Sequence, residues 1–365
     1  MDNQQNRRCD IIIPVWNNEG VTADCVESIK RNTAFPYRLV LVDNASDAGT
    51  RGYLDKLCAS EKGRAVLIRN GENLGFVKAV NKGMRFSDAA YVAVMNNDTV
   101  AADGWLGEMI KVLESDPAAG LVNPSTNGPD KPSGIADIEK EAASLKGLSG
   151  RSRLAYKCSF FACVMRREIP EKIGYLDEGY GMGYFDDADY SKRVQAAGYK
   201  TVTALAAYVY HAESASFERL GGKEEIFRRN EKTFEEKWGR QLRVAYLPGK
   251  DRALSSGNIN EIAVMGHHVF IFAPRDVLDK LDLIDHECAR KYPVPRPFAA
   301  AMAAAKIIRR RKKKKADLVV ADSRFMSFFR GAFGAEVVGE RDAALKRRIE
   351  ALSFGRDGGR ADAGK

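Results

Sequence analysis

The 365-residue chain is 45% hydrophobic and 29% charged, a balance that excludes a disordered polypeptide and suffices for one large core or two smaller ones. Its formal charge of +9 is concentrated locally, because seven consecutive basic residues stand in "IIRRRKKKKAD", and this argues against a nucleic-acid-binding protein. No apolar run reaches the roughly 18 residues of a membrane span, and "MDNQQNRRCD" lacks the apolar core of a signal peptide, so the expected location is the cytoplasm.

In chain order, "CDIIIPV" (9–15), "RLVLVD" (38–43), "AVLIRN" (65–70) and "YVAVMN" (91–96) are short apolar runs of strand type. Helical patterns separate them, with Val21, Cys25 and Ile29, then Phe76, Val80 and Met84, at i, i+4, i+8 spacing. The alternation predicts a parallel sheet covered by helices, whose ligands bind beyond the carboxyl ends of the strands. The segments at those ends are "WNNE", "DNASD", "NGENLGF" and "NNDT". One such polar turn is ordinary chain reversal; four at one edge suggest a binding surface. Residues 125–150, rich in Gly, Pro, Ser and charge, are expected to form a mobile loop near that edge.

Regular structure is expected again in "CSFFACVMRR" (158–167), in a helix beginning near "FDDADYSKRVQAAG" (185–198), and in the strands "KTVTAL" and "AYVYH", the second ending at His211. Beyond residue 240, "EIAVMGHHVFIFA" and "ADLVVA" read as strands of a separate α/β unit, with "FAAAMAAAKIIRRRKKKK" as a helix between them. The tail 351–365 reads as disordered. The six cysteines are scattered without a CxxC pair, as expected of reduced thiols packed in a core.

The motifs "DIIIPVWNNE", "VLVDNASDAGT", "NLGFVKAVNKG", "VMNNDT" and "GYFDDADYSKRVQAAGY", followed by His211, resemble family 2 glycosyltransferases over residues 9–240. The resemblance implies an α/β, GT-A-type, Rossmann-like fold, a mostly parallel sheet flanked by helices. A carboxyl-terminal extension, α/β or helical, covers 241–350. The activity implied is inverting transfer of a sugar from a nucleotide-diphosphate donor to a hydroxyl, assisted by Mn2+ or Mg2+, in the assembly of cell-surface polysaccharide, lipopolysaccharide or glycolipid. The partners implied are that donor and a glycan or lipid-linked acceptor. The stretch "KADLVVADSRFMSFF" weakly resembles part of a GT-B glycosyltransferase half, too short a match to assign a second activity.

By the same resemblance, the nucleotide-sugar-binding residues are Pro14, Val15, Trp16, Glu19, Asp43, Asn44, Asn73, Gly75, Phe76, Asn81, Asn96 and Asn97. Asp43 and Asn44 have the donors and acceptors to meet a base edge or ribose, and Trp16 suits either a base face or half-buried packing. A cap or kink is the structural alternative for Asn81. In "NND", Asn96 stands where the family carries an acid, leaving Asp98 as the charged member. Asp98 with His211 is the metal pair implied, since a hard cation takes oxygen and imidazole donors. The alternatives are a turn cap for Asp98 and a core position for His211.

The three acids of "FDDADY" open a helix, where acids also serve simply as caps and complements to its dipole. Crowded carboxylates raise one another's proton affinity, which suits a base, and the resemblance points to Asp187 as the base with Asp186 orienting the acceptor. Tyr180, Tyr184 and Phe185 suit stacking on a sugar and suit a core equally. Two other functions compete: a catalytically silent nucleotide-sugar-binding protein, suggested by Asn96, and a basic carboxyl-terminal region acting as a membrane-surface or nucleic-acid patch. In the second, residues 306–315 hold the chain peripherally on an anionic membrane at its inner face.

Overall fold

The computed structural model describes residues 8–127, 134–212, 223–295, 316–322 and 336–355. The chain forms two compact units, Met1–Lys232 and Thr233–Lys365.

In the first unit, β1 (Cys9–Val15), β2 (Tyr37–Asp43), β3 (Ala65–Arg69) and β4 (Tyr91–Met95) are parallel neighbours in the order β3-β2-β1-β4. Helices α1 (Glu19–Asn32), α2 (Ala48–Ser60) and α3 (Gly75–Phe86) connect them. Ile11, Ile12, Ile13, Leu39, Val40 and Leu41 are all at most 1% exposed, so both sheet faces are covered and the strands read as continuous apolar runs rather than alternating ones. The register pairs Val15 with Asp43 and Asp43 with Arg69, which brings the polar turns after β1, β2 and β3 to one edge.

The sheet continues through β5 (Thr99–Ala101), β6 (Ala119–Ser125), β8 (Ala162–Arg166) and β9 (Lys200–His211), in the order β4-β8-β6-β9-β5. Strand β7 (Ser152–Leu154) pairs with β9, and α4 (Trp105–Ser115) packs under β6 and β9. "KTVTAL" and "AYVYH" are one continuous strand. The loop expected over 125–150 is, within the described residues, the helix α5 (Ile135–Leu145) and a short 3-10 turn (Lys146–Leu148). Ile138 and Ala142, four residues apart on α5, pack on Ala102 and Tyr208, and that burial fixes a helix in a polar segment. Helices α6 (Glu168–Ile173), α7 (Asp186–Ala196) and α8 (Lys223–Trp238) complete this part.

Close packing of α3 on β1 yields a stability prediction. A Cβ at Gly83 would lie 2.4 Å from Ile12 Cγ2 in a fully buried contact. Gly83→Ala is expected to destabilise the protein by about 1–3 kcal/mol, read as a lowered urea midpoint at unchanged m-value, because an overpacked core must shift rather than gain helix propensity.

The second unit is a parallel sheet of β10 (Arg243–Leu247), β11 (His268–Ala273), β12 (Ala289–Pro293), β13 (Leu318–Ala321) and β14 (Glu336–Gly339), ordered β12-β11-β10-β13-β14. Helices α9 (Arg252–Val264), α10 (Arg275–Leu278) and α11 (Leu345–Ser353) accompany it. The expected strand over 261–273 is half helix, because α9 runs to Val264 and Gly266, at φ +97°, turns the chain into β11. Residues 351–353, expected in the tail, close α11. Glu340, 5% exposed just after β14, accepts hydrogen bonds from Gly249 N at 3.1 Å, Ser255 Oγ at 2.9 Å and Tyr246 Oη at 3.4 Å. The predicted basic helix, with 306–315, lies outside the described residues. Among the described residues no helix is long and apolar enough to cross a membrane.

Candidate active site

A cavity of about 940 Å³ opens at the carboxyl edge of the first sheet. Pro14, Val15, Trp16, Asn44, Asn73, Gly75, Phe76, Asn96 and Asn97 line one part, and Asp98, His211, Asp186 and Asp187 line another. The turns after β1 and β2 depend on left-handed residues, with Asn17 at φ 57°, Asn18 at 62° and Ala45 at 59°. Asparagine tolerates that region better than most side chains, and Asn17 Oδ1 accepts from Asp47 N at 2.7 Å, joining the two turns. Asn44 donates to Gly75 O at 3.2 Å and accepts from Asn70 Nδ2 at 2.7 Å, so it ties β2 to the start of α3. Gly75, at φ +82°, leaves room for Met182, whose sulfur would lie 2.9 Å from an added Cβ.

Three expected ligand-binding residues do not line the cavity. Asp43 is fully buried, accepting from Ser46 N at 2.9 Å and pairing with Arg69 at 2.9 Å, so its carboxylate closes the turn after β2. Asn81 is not a cap: its amide clamps Leu176, donating to the carbonyl at 3.0 Å and accepting from the N–H at 2.9 Å. Glu19 is exposed in the first turn of α1.

Asp98 and His211, far apart in sequence, meet because β5 and β9 pair antiparallel with Thr99 opposite His211. Asp98 Oδ1 lies 3.3 Å from His211 Nε2, and Asn96 Nδ2 lies 3.4 Å from the same nitrogen. Phe161 stacks on the imidazole at 5.0 Å and 11°. Asn127 holds the His211 backbone from both sides, at 2.8 and 3.2 Å. Among the described residues no cluster of three or more His, Cys, Asp or Glu side chains forms a metal site. The pair nonetheless fits a hard divalent cation chemically: one carboxylate oxygen, one imidazole and a neighbouring amide, with places left for oxygens of a diphosphate or water.

The segment before α7 is irregular: Gly181, Gly183, Tyr184 and Phe185 all have positive φ. Asn230 of α8, 1% exposed, donates to the carbonyls of Tyr180 (2.9 Å), Gly183 (2.7 Å) and Tyr184 (3.2 Å) and so holds the segment in place. It delivers Asp186 and Asp187 to the cavity, while Asp189 turns away into an ion pair with Arg193 at 2.9 Å. Tyr180 is buried rather than presented to a ligand.

Asp187 faces the Lys157 ammonium at 3.2 Å and accepts from Ala188 N at 2.7 Å. Asp186 is 4% exposed, and Oδ2 is buried without a hydrogen-bond partner. Burial, reinforced by the charge of Asp187, pushes the Asp186 carboxyl up to about 7. Between the ordinary carboxylate range and pH 7 the folded protein therefore keeps a proton that the unfolded chain has lost. Stability should fall as pH rises through that window, by at most about 1.4 kcal/mol per pH unit. Asp186→Asn is expected to remove the loss: the variant's Tm should exceed the wild type's at pH 8, with the gap closing below pH 4.

Lys157, Phe227 and Asn230 belong to no recognised motif. Lys157 and Phe227 line the cavity, and Asn230 braces its wall.

Acids and a histidine are thus gathered at the carboxyl edge of the α/β sheet, where sheets of this type bind their ligands. Residues 10–174 match the family model described as glycosyl transferase family 2. The chain is 30% identical over 251 residues to the uncharacterized protein y4gI of Sinorhizobium fredii, covering 62% of this chain and 27% of that protein. It is 26% identical over 104 residues to an uncharacterized glycosyltransferase of Haemophilus influenzae, covering 28% of this chain and 32% of that protein. The matches thus span about a third or less of these curated relatives. GalNAc-T7, solved with UDP, GalNAc and Mn2+, aligns with a TM-score of 0.51 at 13% identity, covering 64% of this chain and 51% of that one, a likeness of fold.

Proposed function

We propose that the chain is an inverting glycosyltransferase that moves a sugar from a nucleoside-diphosphate donor to a hydroxyl of a glycan or lipid-linked acceptor. The observation carrying this reading is that one cavity holds the polar turns of the parallel strands, the Asp98–His211 pair and the two acids at the start of α7. Asn44, Asn73 and Trp16 would hold the nucleotide, with Asp43 keeping its turn in shape. A divalent cation, Mn2+ or Mg2+, held by Asp98 and His211 would supply positive charge against the diphosphate. Asp187 accepts the proton of the acceptor hydroxyl as its oxygen bonds to the anomeric carbon; the bond from that carbon to the diphosphate oxygen breaks, and the nucleoside diphosphate departs. Lys157 pairs with Asp187 at 3.2 Å and orients its carboxylate.

The setting this implies is cell-surface polysaccharide, lipopolysaccharide or glycolipid assembly from the cytoplasmic side. Peripheral membrane contact through 306–315 is part of the proposal. Incubating the full chain with UDP- and GDP-sugars and Mn2+ tests it: the expected product is free nucleoside diphosphate, released as the glycosyl group passes to water, the small hydroxyl acceptor present. Nucleotide binding with no release under any donor would favour the silent binding protein that Asn96 suggests.

A further inference from the structure

Trp16 enters the cavity from a stretch of chain that is tied down on both sides. Before it, the Val15 carbonyl accepts from Asn44 N at 2.8 Å, one step beyond the β1–β2 ladder. After it, Asn17 N donates to Ser46 Oγ at 3.0 Å, and Asn17 Oδ1 accepts from Asp47 N at 2.7 Å. Each turn has further bonds of its own besides this clasp. The Asp43 carboxylate takes Ser46 N at 2.9 Å, Asp47 caps α2 by accepting from Thr50 N at 2.9 Å, and α1 starts on a bond from Thr22 N to Asn18 O at 3.0 Å. The clasp is also held against backbone strain, because Asn17 and Asn18 are both left-handed, as is Ala45 on the facing turn. Such strain persists where surrounding bonds over-determine it, and it gathers at functional sites. Asn17 itself does not line the cavity, so whatever it does there passes through a neighbour.

That neighbour is Trp16. Its side chain is half-buried, and among the described residues no hydrogen bond or stacked ring holds the indole, so its aim is left to the backbone and to packing. An indole is long and planar, and a small turn of the chain at its root carries the ring off any flat partner. We propose that Asn17 is a positioning residue for the nucleobase: by clasping Ser46 and Asp47 it holds Trp16 at the angle at which the indole meets the face of the base. Asparagine suits the place because it tolerates left-handed backbone and supplies the acceptor oxygen; glycine offers only the first and alanine neither. The assignment rests on the nucleotide reading of the cavity and not on sugar transfer.

The test is calorimetric titration of the full chain, in Mn2+, with ADP, CDP, GDP and UDP and with pyrophosphate, which has no base. At least one nucleoside diphosphate should bind more tightly than pyrophosphate, and Trp16→Ala should raise its Kd about fivefold or more. Asn17→Gly, which keeps the left-handed backbone and removes one hydrogen bond, should raise that Kd about two- to tenfold and leave the pyrophosphate Kd unchanged. Ser46→Ala, which cuts the clasp from the other turn, should do the same. In the Trp16→Ala background neither substitution should cost anything further, because the clasp acts through the indole. Circular dichroism checks that the variants fold. Nucleotide affinity unmoved by both substitutions, equal losses for pyrophosphate, or losses that add to that of Trp16→Ala overturn the assignment. So does a wild type that binds no nucleoside diphosphate better than pyrophosphate, since there is then no base to position. Sugar-donor turnover is read separately: nucleotide binding without turnover fails the transferase reading and leaves Asn17 in its role, and additive losses in an enzyme that turns over do the reverse.

Discussion

Asp187→Asn is expected to lower sugar transfer by about 10²- to 10⁴-fold while leaving nucleotide affinity close to wild type. The substitution keeps the shape of the side chain and removes its ability to take a proton, so the loss should fall on kcat and not on donor binding. Lys157 makes the result specific to this position. Its ammonium lies 3.2 Å from Asp187, whereas Asp186 is buried and that burial pushes its carboxyl up to about 7. Single-turnover rates with saturating donor, beside calorimetric nucleotide titrations, measure the two quantities separately. Wild-type transfer by Asp187→Asn would move the base to Asp186 or elsewhere.

The second large effect is expected at Asp98. Asp98→Ala leaves His211 and the amide of Asn96 as the neighbouring donors, and removes the only carboxylate of the metal pair. Metal affinity should weaken by about 100-fold or more, beyond the 10- to 100-fold typical of losing a partner outside the ligand set. Nucleotide binding should then lose its Mn2+ dependence and keep a weaker, metal-independent component. A titration of Mn2+ into protein with nucleoside diphosphate, followed by the paramagnetic signal of free Mn2+, measures this. An unchanged Mn2+ titration would take Asp98 out of the metal site.

The parallel half of the first sheet is legible because β1, β2 and β4 are almost wholly buried; these strands, and the half-buried edge strand β3, fall within one residue of the apolar runs. Where burial touches only a stripe, the sequence misleads. Residues 135–145 look like loop by composition, yet Ile138 and Ala142 supply a sufficient apolar face. In 261–273 two apolar stretches, one ending α9 and one forming β11, read as a single strand, and Gly266 marks the change of direction between them.

The site shows the same division. The family resemblance points to Asn44, Asp98, Asp187 and His211, all of which line the cavity. It also offers Asp43, which belongs to the turn, since a carboxylate that shapes a loop and one that meets a ligand look alike in sequence. Lys157, Phe227 and Asn230 reach the site only through tertiary contacts, from a loop before β8 and from α8. No local pattern signals them.

In the second unit, the buried Glu340 carboxylate bears on what that sheet has become. The crevice between β10 and β13, where the strand order reverses, is the place at which sheets of this type ordinarily receive an anion on backbone amides and a helix start. Here the backbone N–H of Gly249 and the hydroxyls of Ser255 and Tyr246 are already given to a side chain of the protein itself. The chain carries its own counterfeit of a phosphate, permanently tethered. Through these bonds Glu340 fastens the end of β14 to β10 and to the first turn of α9, a keystone of the fold.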